Sequence, residues 1–268
     1  MYIDITNHCP MSCAHCCRNF GKGTKTQGQH MDSDTFQRCL DLAIELEEGI
    51  SLGGGEPLSH PEFWDFWQQA MRAAQNTETG VWLATSGHNR KRTLDLITIA
   101  ANSPNGVYLE DLLEFEDEFE PLEEGYEDRF YTEKGQRMAA ALWYGTPFSM
   151  ALSIDPFHDP IEPQVVEQAK RAKIEIRNNY NKIKGLTNRG RAKSNQMGDP
   201  DNLTCEGISA DWKGNIFICS TVKKGKLGNI HEDYSYIYDC FQRMYEKELP
   251  ECKHHWKKKH WKWVTEGK

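Results

Sequence analysis

Three cysteines close to the amino terminus constrain this chain more than any other feature. Cys9, Cys13 and Cys16 have the spacing C-x3-C-x2-C. Cysteine thiolates in compact loops of this kind hold iron–sulfur clusters. A cubane cluster has four irons, so three cysteines leave one iron with an open coordination position that can admit a substrate. Zinc is the alternative, because it takes four ligands and His15 or Cys17 could supply the fourth.

A run of three glycines followed by a glutamate, residues 53–56, is the second informative motif. Glycine lets a backbone approach a ligand closely and adopt conformations closed to other residues. Glu56 adds an anion that can accept hydrogen bonds from an ammonium group. The run follows a short apolar strand and lies about forty residues after the cysteines, a distance that one helix and one strand fill at ordinary connection lengths. A glycine run on its own is more often a turn.

Together, the two motifs resemble those of the radical S-adenosylmethionine (SAM) superfamily. The resemblance implies a [4Fe–4S] cluster held by the three cysteines, with SAM bound to the open iron through its amino and carboxylate groups. It also implies reductive cleavage of SAM to a 5′-deoxyadenosyl radical, which abstracts hydrogen from a substrate C–H bond. A one-electron reductant such as flavodoxin or ferredoxin would then be a partner. The residues that match the SAM-binding motif are Gly53, Gly54, Gly55 and Glu56.

Strands and helices alternate over the first 177 residues, which predicts a parallel α/β sheet. The resemblance implies a partial (β/α)6 barrel over residues 1–195, followed by a small α+β extension over residues 196–268. The pattern predicts strands near 2–5, 49–52, 81–84, 148–155 and 174–177, and helices over 32–46, 61–74, from 89, and over 163–172.

Polar residues that follow the predicted strands should share one rim, because ligands bind at the carboxyl ends of parallel strands. Ser86 lies on this rim. The resemblance suggests that Ser153 and Arg177 contact the ribose or carboxylate of SAM. Arg191 lies in a Gly-Arg-Ala run similar to one found near the end of the barrel in several relatives, and it could hold a carboxylate or phosphate.

Asp155 and His158 follow the fourth predicted strand and are the candidates for acid–base catalysis. The ordinary pKa of histidine lies near neutrality, so His158 could act as an acid or a base at the rim. The alternative is a loop histidine with a hydrogen-bonding role, since loops carry both kinds.

Four cysteines in the last quarter of the chain suggest a second metal centre. The spacing from Gly214 to Cys219 resembles the opening of the SPASM and twitch extensions of radical SAM enzymes, which carry auxiliary [4Fe–4S] clusters. A full SPASM extension has seven cysteines, so one twitch-type cluster is the expectation here. His255 is an alternative to Cys240, which lies in a helical run over 237–249 and could belong to the core; zinc or an empty remnant is the other alternative. The candidate ligands are Cys205, Cys219, Cys240 and Cys252.

The composition and the family resemblance indicate the cellular compartment and the class of substrate. Nine cysteines without an export signal favour metal ligation in a reducing cytoplasm over disulfides. No apolar run reaches the length of a membrane span. SPASM and twitch relatives often modify peptides, so a peptide or amino-acid-like substrate is the leading hypothesis.

Two charged segments leave further alternatives open. Residues 110–128 carry eleven Asp or Glu and no Lys or Arg, which predicts a solvated insertion, or a lid or docking surface for a cationic partner. Residues 253–268 combine six Lys with three Trp, a pattern of single-stranded nucleic-acid binding, of a flexible tail or of a Trp-anchored helix that covers the core. Modification of a nucleotide or nucleic-acid base is therefore the second function hypothesis, and a non-enzymatic zinc-binding interaction protein is the third.

Overall fold

We describe the fold from a computed structural model. The structure describes residues 1–21, 28–75, 79–102, 147–154, 158, 160–177, 190–196, 207–219, 225–246, 249 and 253–267. Four features of the sequence fall outside these ranges: the acidic segment 110–128, Asp155, Cys205 and Cys252.

The described strands form one sheet in the order β5-β4-β3-β2-β1-β6-β7-β8. Neighbours from β5 to β6 pair in parallel, and β6, β7 and β8 pair antiparallel. The strands are β1 Tyr2–Thr6, β2 Ile50–Gly54, β3 Val81–Thr85, β4 Phe148–Ser153, β5 Glu175–Arg177, β6 Ser209–Ala210, β7 Asn215–Phe217 and β8 Lys226–Asn229. The predicted parallel α/β sheet is confirmed.

The helices begin close to the predicted positions because the sequence supplies their caps and apolar faces. They are α1 Ser33–Glu45, α2 Phe63–Gln75, α3 Arg90–Asn102, α4 Pro163–Arg171, α5 Gly190–Ser194, α6 Tyr234–Tyr245 and α7 Lys258–Glu266. The carboxylate of Asp32 accepts a hydrogen bond from the Thr35 amide at 2.8 Å, which caps α1 and lowers the pKa of that carboxyl. Phe36 and Cys39 on the apolar face are fully buried.

Strand register brings the functional loops to one edge. Thr6 at the end of β1 lies beside Gly54 at the end of β2, and Ser153 at the end of β4 lies beside Arg177 at the end of β5. Three large aromatic residues of α2 are fully buried in the core between the helices and the sheet: Phe63, Phe66 and Trp67. The core therefore lies under the helices, and the strand ends remain available for a site.

The carboxy-terminal part continues the same sheet. β6 pairs with β1, and a hairpin at Lys213-Gly214 joins β6 to β7. Helix α6 begins at Tyr234, three residues before the predicted start, because the Ile237 amide donates to the Asp233 carbonyl at 2.8 Å. No helix in the described ranges is both long enough and apolar enough to span a bilayer.

The basic tail packs on the rest of the molecule. Val264 of α7 is fully buried and Trp256 is 7% exposed. Arg243 of α6 donates from Nε to the Val264 carbonyl at 2.7 Å. Trp261 and Trp263 are partly buried against the core. The Trp-anchored alternative thus describes this segment, and the rings that base stacking would need are used for packing.

Candidate active site

A cavity of about 680 Å³ opens at the carboxyl ends of the strands, a size typical of small-molecule sites. It brings together all the described residues that the sequence assigned to the first cluster, to SAM or to acid–base chemistry. These are Cys9, Cys13, Cys16, Gly53, Gly54, Gly55, Glu56, Ser86, Ser153, His158, Arg177 and Arg191. One compartment therefore contains sulfur ligands, a carboxylate and several cations.

The glycine loop, Gly53–Glu56, packs directly against the chain that follows β1. The Gly55 amide donates to the Thr6 carbonyl at 2.8 Å, and the Glu56 amide donates to the His8 carbonyl at 2.8 Å. Gly54 has a φ of +125°, and a Cβ there would overlap the Thr6 carbonyl oxygen. The glycines are thus needed for two strand-end loops to approach each other, a role that the motif alone did not reveal.

The Glu56 carboxylate is buried, with 2% of the residue exposed, and it accepts hydrogen bonds from neutral donors. Oε1 accepts from the Thr85 hydroxyl at 2.7 Å and from the Leu58 amide at 3.3 Å. Oε2 accepts from the Ser86 amide at 2.9 Å and from its hydroxyl at 2.6 Å. No cationic side chain among the described residues pairs with this anion. A buried carboxylate held only by neutral groups favours a cationic ligand, which suits the amino group of SAM.

The cysteine loop, residues 9–17, presents its thiols to the same cavity. Cys9 and Cys16 are half-buried, and Cys13 is 9% exposed. Burial raises the pKa of the Cys9 thiol to about 11, and the nearby Glu56 and Cys16 act in the same direction. A metal-bound thiol is deprotonated, so the binding of iron would displace the proton that Cys9 otherwise keeps because its pKa is raised.

The donor set is compatible with a cluster. Cys9, Cys13 and Cys16 all line one cavity. In a cubane cluster each cysteine binds a different iron, so three thiols that line one cavity could hold three of its irons. Within the ranges that the structure describes, no group of three or more Cys, His, Asp or Glu side chains is arranged to hold one metal ion.

Two arginines at the rim have partners of their own. Arg177 stacks over the Trp82 ring, with 4.6 Å from Cζ to the ring centroid, and its Nε lies 2.8 Å from Glu175 Oε1. Arg191 donates from Nε to the Cys13 carbonyl at 2.8 Å and from Nη2 to the Phe20 carbonyl. Arg191 was predicted to hold a carboxylate or phosphate. Its guanidinium is already hydrogen-bonded to the carbonyls of Cys13 and Phe20.

His158 lines the cavity and its ring contacts the ring of His15 edge to face, with centroids 4.8 Å apart. Cys219 and Cys240 lie away from this cavity in the carboxy-terminal part, and both are fully buried. The Cys240 Sγ accepts a hydrogen bond from Arg243 Nη2 at 3.3 Å within α6. This setting favours the core alternative for Cys240.

Among the cavity-lining residues that sequence reasoning did not assign, four support the site through ring or hydrogen-bond contacts. Tyr2 lies across Gly53, where a Cβ would overlap its phenol, and Arg18 lies over the Tyr2 ring with Cζ 5.2 Å from the centroid. Trp82 receives Arg177, and Thr85 supports Glu56. Strand alternation places Tyr2 and Trp82 on the face opposite the helices, and this is the signal that could have identified them.

A family model decides the class of this chain. The model described as the radical SAM superfamily matches residues 3–117, a range that contains both motifs. Residues 3–117 therefore carry a radical SAM domain. The superfamily implies a [4Fe–4S] cluster and SAM, and the prediction of a radical SAM enzyme is confirmed at this level.

Two curated radical SAM relatives share part of the sequence. Both are named mycofactocin maturase MftC, one from Mycobacterium ulcerans (strain Agy99) and one from Mycobacterium tuberculosis (strain ATCC 25618 / H37Rv). Each is 30% identical over 88 residues, which is 31% of this chain. The match spans 21% of the first protein and 20% of the second, so it covers about a fifth of these curated relatives.

A solved structure shares the fold. BtrN in complex with AdoMet and 2-DOIA superposes with a TM-score of 0.51 at 16% identity, over 88% of this chain and 80% of that chain. At this identity the likeness supports the α/β architecture alone.

Proposed function

We propose that this chain reductively cleaves SAM and abstracts a hydrogen atom from a C–H bond of a peptide or amino-acid-like substrate. The observation that carries the proposal is that the thiols of a C-x3-C-x2-C loop and the buried carboxylate of Glu56 line one cavity. A reduced [4Fe–4S] cluster held by the three cysteines would supply the single electron that the cleavage of SAM needs.

The residues of this chain would divide the work as follows. Cys9, Cys13 and Cys16 hold three irons and leave the fourth open. Glu56 accepts hydrogen bonds from the ammonium group of SAM and fixes its orientation, because Thr85 and Ser86 hold the carboxylate in place.

Polar groups farther along the rim complete the proposed SAM site. Ser153 and Arg177 lie side by side at the ends of β4 and β5, where they would contact the ribose or carboxylate. His158 lines the same cavity as a candidate acid or base, and Asp155, outside the described residues, stays a prediction.

The substrate class is supported by one comparison: the mycobacterial proteins that match over 88 residues are named maturases. A one-electron reductant such as flavodoxin or ferredoxin is the proposed protein partner. Nucleic-acid modification is not proposed, because the tail on which it depended packs against the core.

An auxiliary cluster would require Cys205, Cys219 and Cys252, with Cys240 or His255 as the fourth ligand. Cys219 follows β7 and is fully buried. The variant Cys219→Ala distinguishes a metal ligand from a core residue. It lowers the iron content by about four atoms per chain if the extension holds a [4Fe–4S] cluster, and it leaves the iron content unchanged if the thiol only packs in the core.

The activity is tested by anaerobic reconstitution with iron and sulfide, followed by dithionite and SAM. Mass spectrometry should detect 5′-deoxyadenosine and methionine, and Cys13→Ala should abolish both. Cys39→Ala is the matched control, since Cys39 is buried on α1 away from the cavity and should retain full product. Absence of 5′-deoxyadenosine from reconstituted wild-type protein that contains iron would refute the proposed function.

A further inference from the structure

Helix α5 supplies hydrogen bonds to the backbone of the cysteine loop. Arg191 donates from Nε to the Cys13 carbonyl at 2.8 Å and from its amide to the Cys16 carbonyl at 2.9 Å. Asn195, directly after the helix, donates from Nδ2 to the Ala14 carbonyl at 2.8 Å. Arg191 Nη2 also donates to the Phe20 carbonyl. Two residues thus satisfy four carbonyls of an irregular segment whose polar groups need partners.

Bonds inside the loop are longer. The Cys16 amide donates to the Cys13 carbonyl at 3.2 Å, and the Asn19 amide donates to the Cys16 carbonyl at 3.4 Å. Hydrogen bonds weaken toward these distances, and a charged donor such as guanidinium forms the stronger ones. The α5 contacts, defined as the bonds from Arg191 and Asn195, therefore contribute strongly to the shape of the loop.

The exit of the loop is shaped to admit the guanidinium. Gly21 has a φ of +126°, and a Cβ there would overlap the Met11 carbonyl oxygen and lie 3.2 Å from Arg191 Nη2. The chain thus crosses close to its own backbone at the place where the arginine side chain arrives. Arg191 also lines the cavity that contains the three thiols, so its positive charge faces the compartment where a cluster would lie.

We propose that Arg191 and Asn195 are positioning residues that hold the cysteine loop in its ligand-presenting shape, and that Arg191 also stabilises the reduced state of the cluster by its charge. The first part stands on the geometry of the protein alone, and the second rests on the proposed function. Arginine suits both roles, because its planar fork bonds two carbonyls at once and its charge is permanent. Reduction adds negative charge to a cluster, so a fixed cation in a low-dielectric site favours it.

The first experiment needs no cluster. Hydrogen–deuterium exchange of the metal-free protein reports on the Cys16 and Asn19 amides in Arg191→Lys, Arg191→Gln and Asn195→Ala. We expect exchange about tenfold faster than in wild type for the arginine variants and a smaller increase for Asn195→Ala. Lys193→Ala is the matched control, as it changes an exposed residue of the same helix. Amides of α1 serve as the internal reference, because global destabilisation accelerates them as well.

The second experiment uses the reconstituted protein. It separates the effect of the paired hydrogen bonds of the Arg191 guanidinium from the effect of its charge. Redox titration followed by electron paramagnetic resonance should give a lower reduction potential for Arg191→Gln and a potential near wild type for Arg191→Lys. Both variants should lose iron to a chelator about tenfold faster than wild type, because both lose the paired carbonyl bonds.

The outcomes distinguish the two proposals. Loop exchange at the wild-type rate in all three variants would overturn the positioning role, whatever the chain binds. An unchanged potential in Arg191→Gln would overturn the charge role. If wild-type protein takes up no iron–sulfur cluster, the proposed function and the charge role fail, while the exchange result still decides the positioning role.

Discussion

Two loops line the same cavity, and they are held in different ways. The glycine loop bonds to its immediate neighbours: the chain after β1, and Thr85 and Ser86 at the end of β3. The cysteine loop is hydrogen-bonded to α5. Arg191 of this helix lies 178 residues after Cys13, whose carbonyl it contacts. Glu56 is 2% exposed, whereas Cys9 and Cys16 are half-buried. The glycine loop is therefore fixed by strand pairing, and the cysteine loop by distant side chains.

The difference indicates what each motif encodes. Glycine at three positions encodes a backbone path, since any side chain there would strike Tyr2, Thr6 or His8. Cysteine at three positions encodes only donor atoms. Changes in the glycine loop should therefore affect folding first and ligand binding second, and changes in the cysteine loop should do the reverse.

Gly54→Ala should destabilise the protein by about 4 kcal/mol, because the new Cβ meets the Thr6 carbonyl and the backbone has a φ of +125°. The free energy of unfolding of metal-free protein in urea measures the effect. Gly28→Ala is the matched control: Gly28 has a φ of +92° with nothing near its Cβ position, so it should cost only about 1 kcal/mol of backbone strain. Equal losses would show that close approach of the loops is not what the glycine provides.

His60 should make stability depend on pH in the weakly acidic range. It follows the glycine loop, donates from Nε2 to the Met31 carbonyl at 3.0 Å, and accepts from the Glu62 amide at 3.1 Å. Burial lowers its pKa to about 4. The unfolded chain therefore binds more protons between about pH 6.5 and 4, so stability should fall by about 3 kcal/mol as the pH drops through that window.

The measurement is the pH dependence of the free energy of unfolding in wild type and in His60→Gln. The variant should have a flatter profile between pH 6.5 and 4 because it lacks the titrating ring. His88→Gln, a change at an exposed histidine after β3, should keep the wild-type slope. A wild-type slope in His60→Gln would mean that other groups cause the acid sensitivity.

Glu56→Gln should weaken SAM binding about thirtyfold, or about 2 kcal/mol, because the ammonium loses a charged acceptor. Anaerobic calorimetry of the reconstituted protein measures the affinity. Thr85→Val removes one support of the carboxylate but keeps its charge, so its effect should be smaller. Glu167→Gln on the exposed face of α4 should leave the affinity unchanged. An unaltered affinity in Glu56→Gln would make this carboxylate a structural link between β2 and β3 only.

Cys240→Ala should cost only about 1 kcal/mol of stability and leave the iron content of reconstituted protein unchanged. Its sulfur lies inside α6 packing and accepts from Arg243, in contrast to the thiols of the cysteine loop that line a cavity. Iron analysis and urea unfolding of the same preparations measure both quantities. A loss of iron would place Cys240 among the ligands of a second cluster.

Within the described part of the first 177 residues, the sequence predicted the strands and helices because their periodicity and caps are local signals. Asp32 caps α1 as expected, and the aromatic residues of α2 are buried. The gathering of the two motifs followed from parallel strand order. The partners of Arg191 could not be predicted, because nothing local indicates which carbonyls a guanidinium 178 residues away will meet. Strand alternation could have placed Tyr2 on the cavity face, but its contact with Gly53 depends on strand register, which no local signal gives.

The separation between Arg191 and Cys13 has a consequence for biosynthesis. The three cysteines are synthesised long before residues 191 and 195, so the nascent chain lacks three hydrogen bonds to the cysteine loop and one to Phe20 that the finished fold has. Iron delivered at that stage would meet thiols without this support. We therefore expect the metal to be loaded after residues 191 and 195 have been added, and we expect a chain that stops before residue 190 to have thiols that oxidise more readily.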